Sequence, residues 1–327
     1  MPEISDTDAI ILRELLKDGR IGYDELAIKC DSSINKVWKR YRILEKKGVI
    51  KGATIQVNFG HLGTAAIATL LISVDAQQIE QVMDTFEKIS EIRAYRQYNS
   101  LYNVRAVAIL KDLGELDQVK QTIRLKLPIK NLRTYLWTSV KNIPENLNFT
   151  GSTINNDANT ENILTSVPSM SNDEVRIDSI DKLLIQKLTE NGRTSFTKIA
   201  EEMKLATNTI ARRYSNLKNN GTIKVSIQID PKRLGYCAIL DINLSFATPS
   251  VTSQSIVETF AKIPDMIIVT KTSGDYDLQL TAMIRDIDQM FSIQDEISKI
   301  SSVSKFDVSA RKIPEKWPTP QQYISTI

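Results

Sequence analysis

Two stretches carry basic, amide and hydroxyl side chains at spacings that suit contact with a nucleic acid rather than bond-making chemistry. In Ser33–Lys51, SINKVWKRYRILEKKGVIK, the residues Ser33, Asn35, Lys36, Trp38, Lys39, Arg40 and Arg42 fall between an apolar spine of Val37, Tyr41 and Leu44. In Ala206–Lys224, ATNTIARRYSNLKNNGTIK, the residues Thr207, Asn208, Thr209, Arg212, Arg213 and Ser215 fall between Ile210, Tyr214 and Leu217. Both spines have the helical period, so each stretch presents one face for packing and an opposite face for a groove. Lysine and arginine on that second face supply phosphate contacts and guanine readout, while Asn35, Asn208 and Thr209 can read base edges or hold phosphates. Ser33 is placed to cap the first helix, where exposed N–H groups also favour a phosphate. Ala206 stands there in the second copy, so Thr207 is expected to take over the cap. Trp38 suits DNA contact and internal packing equally. The spine is kept while Lys36, Trp38 and Arg42 give way to Thr209, Ala211 and Ser215, so the two helices are expected to prefer different half-sites.

The elements that must hold these helices repeat as well. TDAIILRELL at Thr7–Leu16 places its apolar residues on one helical face, with Ser5 or Asp6 available as the N-cap, and IDKLLIQKLT at Ile180–Thr189 echoes it. Gly19-Arg20 and Gly192-Arg193 end these helices. A second helix follows in each copy, YDELAIKC behind Gly22 and FTKIAEEM behind Ser195. Three helices with the last two close together make a helix-turn-helix, and the strand-like IKGATIQV and IKVSIQI would form its edge.

Charge is concentrated where this reading needs it. The whole chain of 327 residues has a formal charge of only +3, yet Arg20 to Lys51 holds nine bases against four acids and Arg193 to Lys224 seven against two. With 42% hydrophobic residues, the chain is long enough for more than one core. Cys30 and Cys237 are too few for a disulfide framework and align with Met203 and Ala65, which marks both as small core residues of a protein in a reducing cytosol. No apolar run approaches the ~20 residues of a membrane span and the N-terminus has no export pattern, so the expected location is cytoplasmic, on the nucleoid.

Beyond each helix-turn-helix the pattern alternates as strand, helix, strand, strand, helix, strand. The first set has strands near Thr64–Val74, Ile92–Tyr98, Val104–Leu110 and Leu132–Ser139, with helices near Gln77–Lys88 and Leu113–Arg124. The second has strands near Tyr236–Phe246, Met266–Thr272, Asp277–Ile284 and Val303–Ala310, with helices near Thr252–Lys262 and Ile287–Ile300. This order is the ferredoxin-like βαββαβ unit, whose sheet has one face free of helices and in need of a partner. The expected fold is therefore α+β: a tandem repeat of a winged-type helix-turn-helix domain (1–55 and 177–227) followed by a ferredoxin-like domain (56–143 and 228–315). Residues 144–176, rich in Asn, Ser and Thr, read as a flexible linker, and 316–327 as a loose Pro-rich tail in which a latch through Trp317 is the lesser option.

The combination resembles the Lrp/AsnC transcription regulators. The matching passages are GRTSFTKIAEEM leading to IARRYSNLKNNGTIK, IDPKRLGY at Ile229–Tyr236 and SGDYDLQL at Ser273–Leu280, with GRIGYDELAIKC, VWKRYRILEKKGVIK and VNFGHLGT in the first copy. That resemblance implies double-stranded DNA as a partner, pairing through the open sheet faces, and a small effector such as an amino acid at a hairpin comprising Gly274, Asp275, Tyr276 and Asp277. The bare residues read equally as a tight turn. The first copy has Ser100, Leu101, Tyr102 and Asn103 there, a departure from the pattern. Two copies in one chain also imply an internal pseudo-dimer, with pairing between chains open as well. A rival reading is an enzyme, since siroheme decarboxylases share this layout and RQYNSLYNVRAVAIL faintly resembles their hairpin; a sensor or architectural protein without site-specific DNA binding is a third. Decarboxylase chemistry is associated with histidines in the effector domain, whereas this chain has the single His61. With no nucleophile beside a base, metal-ligand cluster or phosphate loop, neither catalysis nor a cofactor is expected.

Overall fold

The computed structural model describes residues 3–64, 66–89, 92–98, 100–150, 175–247 and 254–319. The first half runs α1 (Asp6–Lys17), α2 (Tyr23–Lys29), α3 (Ile34–Lys46), β1 (Ile50–Val57), β2 (Ala66–Val74), α4 (Ile79–Glu87), β3 (Ile92–Arg96), β4 (Val104–Leu110), α5 (Leu113–Lys126) and β5 (Ile129–Asn142). The second repeats it as α6 (Ser179–Glu190), α7 (Phe196–Met203), α8 (Thr207–Asn219), β6 (Ile223–Ile229), β7 (Ala238–Phe246), α9 (Gln254–Ala261), β8 (Met266–Ser273), β9 (Leu278–Ile284), α10 (Ile287–Ser298) and β10 (Val303–Lys312). The architecture is α+β, a helix-turn-helix head followed by a βαββαβ domain, twice.

Local chemistry explains the helix starts. Ser5 and Asp178 each form a capping box with the acid three residues on, Asp8 and Asp181, so both exposed N–H groups and the side chains are satisfied reciprocally. Ser33 accepts a hydrogen bond from the Lys36 N–H at the start of α3. The expected cap by Thr207 is not formed. The chain is still extended at Ala206 (φ −72°, ψ 141°), which is the N-cap of α8 and offers no side-chain acceptor, and Thr207 is already the first helical residue.

The heads are built into one another. β1 does not fold back on its own head; it pairs antiparallel with β6, with Thr54 opposite Ser226 and Val57 opposite Ile223. Ile227 and Ile229 of the second half therefore complete the core around Leu12, Leu15, Val37 and Leu44 of the first head. Ile55 and Val57 do the same for Leu184, Leu188, Ile210 and Leu217 of the second. The two Gly-Arg corners dock on this ribbon, the Gly19 N–H donating to Val225 O at 2.8 Å and the Gly192 N–H to Ala53 O at 2.9 Å. A Cβ on Gly192 would meet Thr54 O at 2.8 Å, so only glycine permits the approach.

The two ferredoxin-like sheets join into eight strands in the order β10-β7-β9-β8-β5-β2-β4-β3. β5 pairs with β8, and Tyr98 just beyond β3 exchanges backbone hydrogen bonds with Ala310 of β10, so the two ends of the order also meet. Strand alternation divides the side chains. Ala68, Leu70 and Ile72 face Val82, Phe86 and Ile123 on the helical side, and Leu240, Ile242 and Leu244 face Val257, Phe260 and Ile293. The intervening residues point between the sheets, where the open faces cover each other: the Thr69 hydroxyl donates to Gln279 Oε1 at 2.7 Å, Trp137 Nε1 to the Thr69 hydroxyl at 2.8 Å and Arg105 to Gln279 Oε1 at 2.9 Å. Asp241, fully buried there, accepts from Arg311 Nε at 2.8 Å and the Thr281 hydroxyl at 3.1 Å. Burial would raise the Asp241 carboxyl, but the charges of Arg311 and Arg105 outweigh it and hold the group below the usual range.

Three expectations need correction. The reading of a linker from residue 144 fails at its start: Leu147 and Phe149 are buried in the first head's core, and the Asn146 amide donates to the carbonyls of Ala261, Ile263 and Met266. An apolar residue on alternate positions of ENLNF is enough to dock a segment whose composition looks solvated. Residues 151–174, the rest of that reading, lie outside the described residues. The tail is a latch as far as Thr319: Trp317 is buried in the same core, and it exchanges backbone hydrogen bonds of 2.8 and 2.9 Å with Ile229. Residues 320–327 are outside the described set. The cysteines are not core residues, Cys30 being half-buried at the end of α2 and Cys237 exposed where the chain enters β7.

Candidate nucleic-acid interface

On α3 the spine Val37, Tyr41 and Leu44 is buried, as are Ile210, Tyr214 and Leu217 on α8. The opposite faces are open. Ser33, Asn35, Lys36, Trp38, Lys39 and Arg42 are exposed in the first head, and Thr207, Asn208, Arg212 and Ser215 in the second, with Thr209 half-buried. Among the described residues no carboxylate pairs with Lys36, Lys39 or Arg212, whereas Arg42 reaches along its own helix to Glu45.

Arg40 and Arg213 belong elsewhere. Arg40 donates through Nε to Asp8 Oδ1 at 2.8 Å and through Nη2 to Asp8 Oδ2, while Arg213 Nη1 reaches Asp178 and Asp181, each at 2.8 Å. Burial would raise the Asp8 carboxyl, but the Arg40 hydrogen bond and those from Ser5 hold it below the usual carboxylate range. Both arginines thus fasten the reading helix to the first helix, and their assignment to the DNA surface is withdrawn. A guanidinium one position from the outward face swings to the nearest desolvated carboxylate, whose side chain in Asp8 is 0% exposed. The recurrence of Asp8 with Arg40 as Asp181 with Arg213, at the same spacing in both copies, was the available signal.

A second arginine pair locks the heads together. Arg20 donates to Gly192 O at 2.8 Å and Thr194 O at 2.5 Å, and its guanidinium lies 4.4 Å from the Phe196 ring centroid and 5.1 Å from that of Tyr214. Arg193 answers from the other side, 5.0 Å from the Tyr41 ring and 5.8 Å from Tyr23. Burial pushes the Tyr214 phenol up to about 12. Lys218 and Asp18 add an ion pair of 2.7 Å across the same junction. These contacts hold α3 and α8 in one relative position.

His61 closes the far end of the ribbon. Nδ1 lies 2.9 Å from the Thr222 hydroxyl and Nε2 3.3 Å from the Asn58 amide, and burial lowers its affinity for a proton. The hairpin between β8 and β9 sits against the first half. Gly274 has φ 153° and leaves no room for a Cβ, which would fall 2.6 Å from Tyr135 Cδ1. Asp275 pairs with Arg133 at 3.1 Å, the Tyr276 hydroxyl reaches Asp307 at 3.2 Å, and Asp277 accepts from the Phe246 N–H at 2.8 Å. In the first half Asn103 takes the same turn-closing role against the Val74 backbone, while Leu101 is exposed.

A winged helix-turn-helix DNA-binding model matches residues 4–51, and an AsnC-type helix-turn-helix model matches residues 177–218. The HTH-type transcriptional regulator LysM of Saccharolobus solfataricus is 31% identical over 135 residues, which are 39% of this chain and 92% of that protein. The chain belongs to the Lrp/AsnC family. The HTH-type transcriptional regulator LrpA of Mycobacterium tuberculosis is 28% identical over 150 residues, 43% of this chain and 97% of its own. Each regulator is thus matched over nearly its whole length by less than half of the present Lrp/AsnC protein, as its tandem organisation requires. The siroheme decarboxylase NirDL shares the fold over 98% of this chain and 94% of its own, with a TM-score of 0.62 and 14% identity. No described helix of the Lrp/AsnC protein is long and apolar enough to cross a membrane.

Proposed function

We propose that this Lrp/AsnC protein regulates transcription by binding double-stranded DNA through α3 and α8 together, as one unit with two unlike reading faces. The observation that carries the reading is the pair of open basic faces, Asn35, Lys36, Lys39 and Arg42 on one helix and Asn208, Arg212 and Ser215 on the other, held in fixed relation by Arg20 and Arg193. Phosphate contacts from Lys39 and Arg212 set register, and the N-terminal residues of each helix meet base edges. Because the faces differ, the preferred site is an imperfect palindrome: half-site symmetry follows protein symmetry. The hairpin Gly274–Asp277, wedged between the halves, is the place for a small effector such as an amino acid, since a ligand there would bear on both sheets. The reading includes no catalytic step: His61, whose two ring nitrogens are engaged by Asn58 and Thr222, serves the packing of the second head. It also places the protein in the cytoplasm on the nucleoid.

Fluorescence anisotropy on a selected duplex at graded salt tests the reading. Lys39→Ala and Arg212→Ala should each weaken binding and lower the magnitude of the log–log salt slope by about 1. Unchanged affinity and slope in both variants would remove the two helices from the interface.

A further inference from the structure

The outward surface of α3 holds one feature that the basic residues do not account for. Ile34 and Trp38, one helical turn apart and so on one side, are each 51% exposed. The sequence pattern did not single out Ile34, because it lies off the buried spine, and Trp38 was compatible with packing. Exposure of half an indole together with a neighbouring isoleucine leaves an apolar strip beside the cationic residues Lys36, Lys39 and Arg42. At the equivalent positions of α8 stand Thr207 and Ala211. The strip is therefore confined to one head. Arg42 follows Trp38 by one further turn, so apolar groups and a cation share a single stripe.

We propose that Ile34 and Trp38 read thymine methyl groups in the major groove, so that the first head selects a half-site by its methyls more strongly than the second. The inference rests on the DNA-binding reading above and adds to it which chemical group of the DNA is sensed, and by which head. The C5-methyl of thymine is the one apolar group a base edge presents in the major groove, and its recognition needs apolar contact rather than a hydrogen bond. The flanking cations commit the strip to a polyanion. They would hold phosphates on either side while the indole and the isoleucine side chain meet the groove floor. In α8 the methyl of Ala211 is too short to bury a base methyl to the same extent, and Thr207 presents a hydroxyl beside its methyl.

Duplexes carrying deoxyuridine in place of thymidine test this directly, since the exchange removes the methyl and leaves every hydrogen-bonding group. The full-length chain is titrated against its selected site with deoxyuridine introduced into one half-site at a time. Burial of one methyl predicts about a fourfold loss of affinity per contacted thymine. That loss should be concentrated in one half-site, vanish there when Ile34 and Trp38 are both replaced by alanine, and shrink in Trp38→Ala alone, while the salt slope of both variants stays at the wild-type value because no charge is removed. Because Ile34 and Trp38 are half exposed, these variants keep the fold, which the unchanged slope itself verifies. Equal affinity for thymine and uracil duplexes at every position, or a uracil penalty that survives replacement of both Ile34 and Trp38 by alanine, overturns the proposal. Retained binding and full uracil sensitivity when both Ile34 and Trp38 are replaced by alanine, with lost capture of another protein, would assign the strip to a protein partner instead. Failure of the underlying reading looks different: the wild-type chain would then show no salt-dependent binding to any duplex.

Discussion

Replacing Arg40 by alanine separates a structural arginine from a DNA-contacting one. Its partner Asp8 has no exposed side-chain surface, while the Arg40 side chain is 31% exposed. Removing one member of a fully buried ion pair costs about 3–5 kcal/mol, because the remaining charge stays desolvated. Water can reach the space left by a partly exposed arginine, and the Ser5 N–H and hydroxyl still donate to Asp8 at 3.0 and 2.9 Å. About 2.5 kcal/mol is therefore expected at neutral pH. Hydrogen exchange of the α1 and α3 amides reads this as a loss of protection of about 70-fold, at 1.36 kcal/mol per factor of ten. The pH dependence carries the sign. Asp8 titrates below its unfolded value in the native chain, so its pairing contributes stability that is fully present above about pH 3.9 and is lost as the pH falls through the depressed folded value. Without Arg40 burial acts with less opposition and the carboxyl rises. The variant then takes up its proton at a higher pH than wild type, and the gap between the two proteins narrows on acidification. Lys39→Ala, one residue away, should leave protection unchanged. Undiminished protection in Arg40→Ala combined with a salt slope reduced by about 1 would refute the argument and return this guanidinium to a phosphate.

Two further substitutions probe the joints between the halves. Gly192→Ala forces a Cβ to within 2.8 Å of Thr54 O and 2.9 Å of Val225 Cγ1; thermal unfolding should show a loss of about 1–3 kcal/mol, and a midpoint equal to wild type would mean that the Gly-Arg corner does not seat on the ribbon. Trp317→Ala removes a buried indole from the first head's core and should destabilise it by about 3–5 kcal/mol, with lost exchange protection in α1 and β6; loss confined to the C-terminal residues would show that the latch is superficial.

Periodicity made much of this fold legible. Val37, Tyr41 and Leu44, repeated as Ile210, Tyr214 and Leu217, mark buried faces because a helix cannot place those spacings anywhere else, and the alternation of Ala68, Leu70 and Ile72 marks a strand packed on one side. Partnership was harder to read, because pattern within a segment does not say which segment it meets. Nothing local in IKGATIQV distinguishes a strand that folds onto its own head from one that pairs with β6 of the other. The same limit hid the docking of Leu147 and Phe149 inside a polar stretch and the burial of Trp317 among prolines. At the candidate interface, residue type alone grouped Arg40 with Lys39; only the position of Asp8 on another helix separates them.

The space between the sheets has one more consequence, for how such a protein can change. In a pair of identical subunits every substitution arrives twice and must tolerate its own image across the axis. Here Thr69 sits where the other half has Asp241, Arg105 where it has Gln279, and Trp137 where it has Arg311, and Thr69 and Arg105 of the first half both donate to Gln279 of the second. An Arg105 facing its own copy would bring two guanidinium groups together without the favourable charge of Asp241 nearby. Covalent joining releases the interior from self-complementarity. Each half is then free to drift toward a separate task, one holding the wedge of the hairpin and the other the apolar strip of α3, while the closed ring of strands keeps them together.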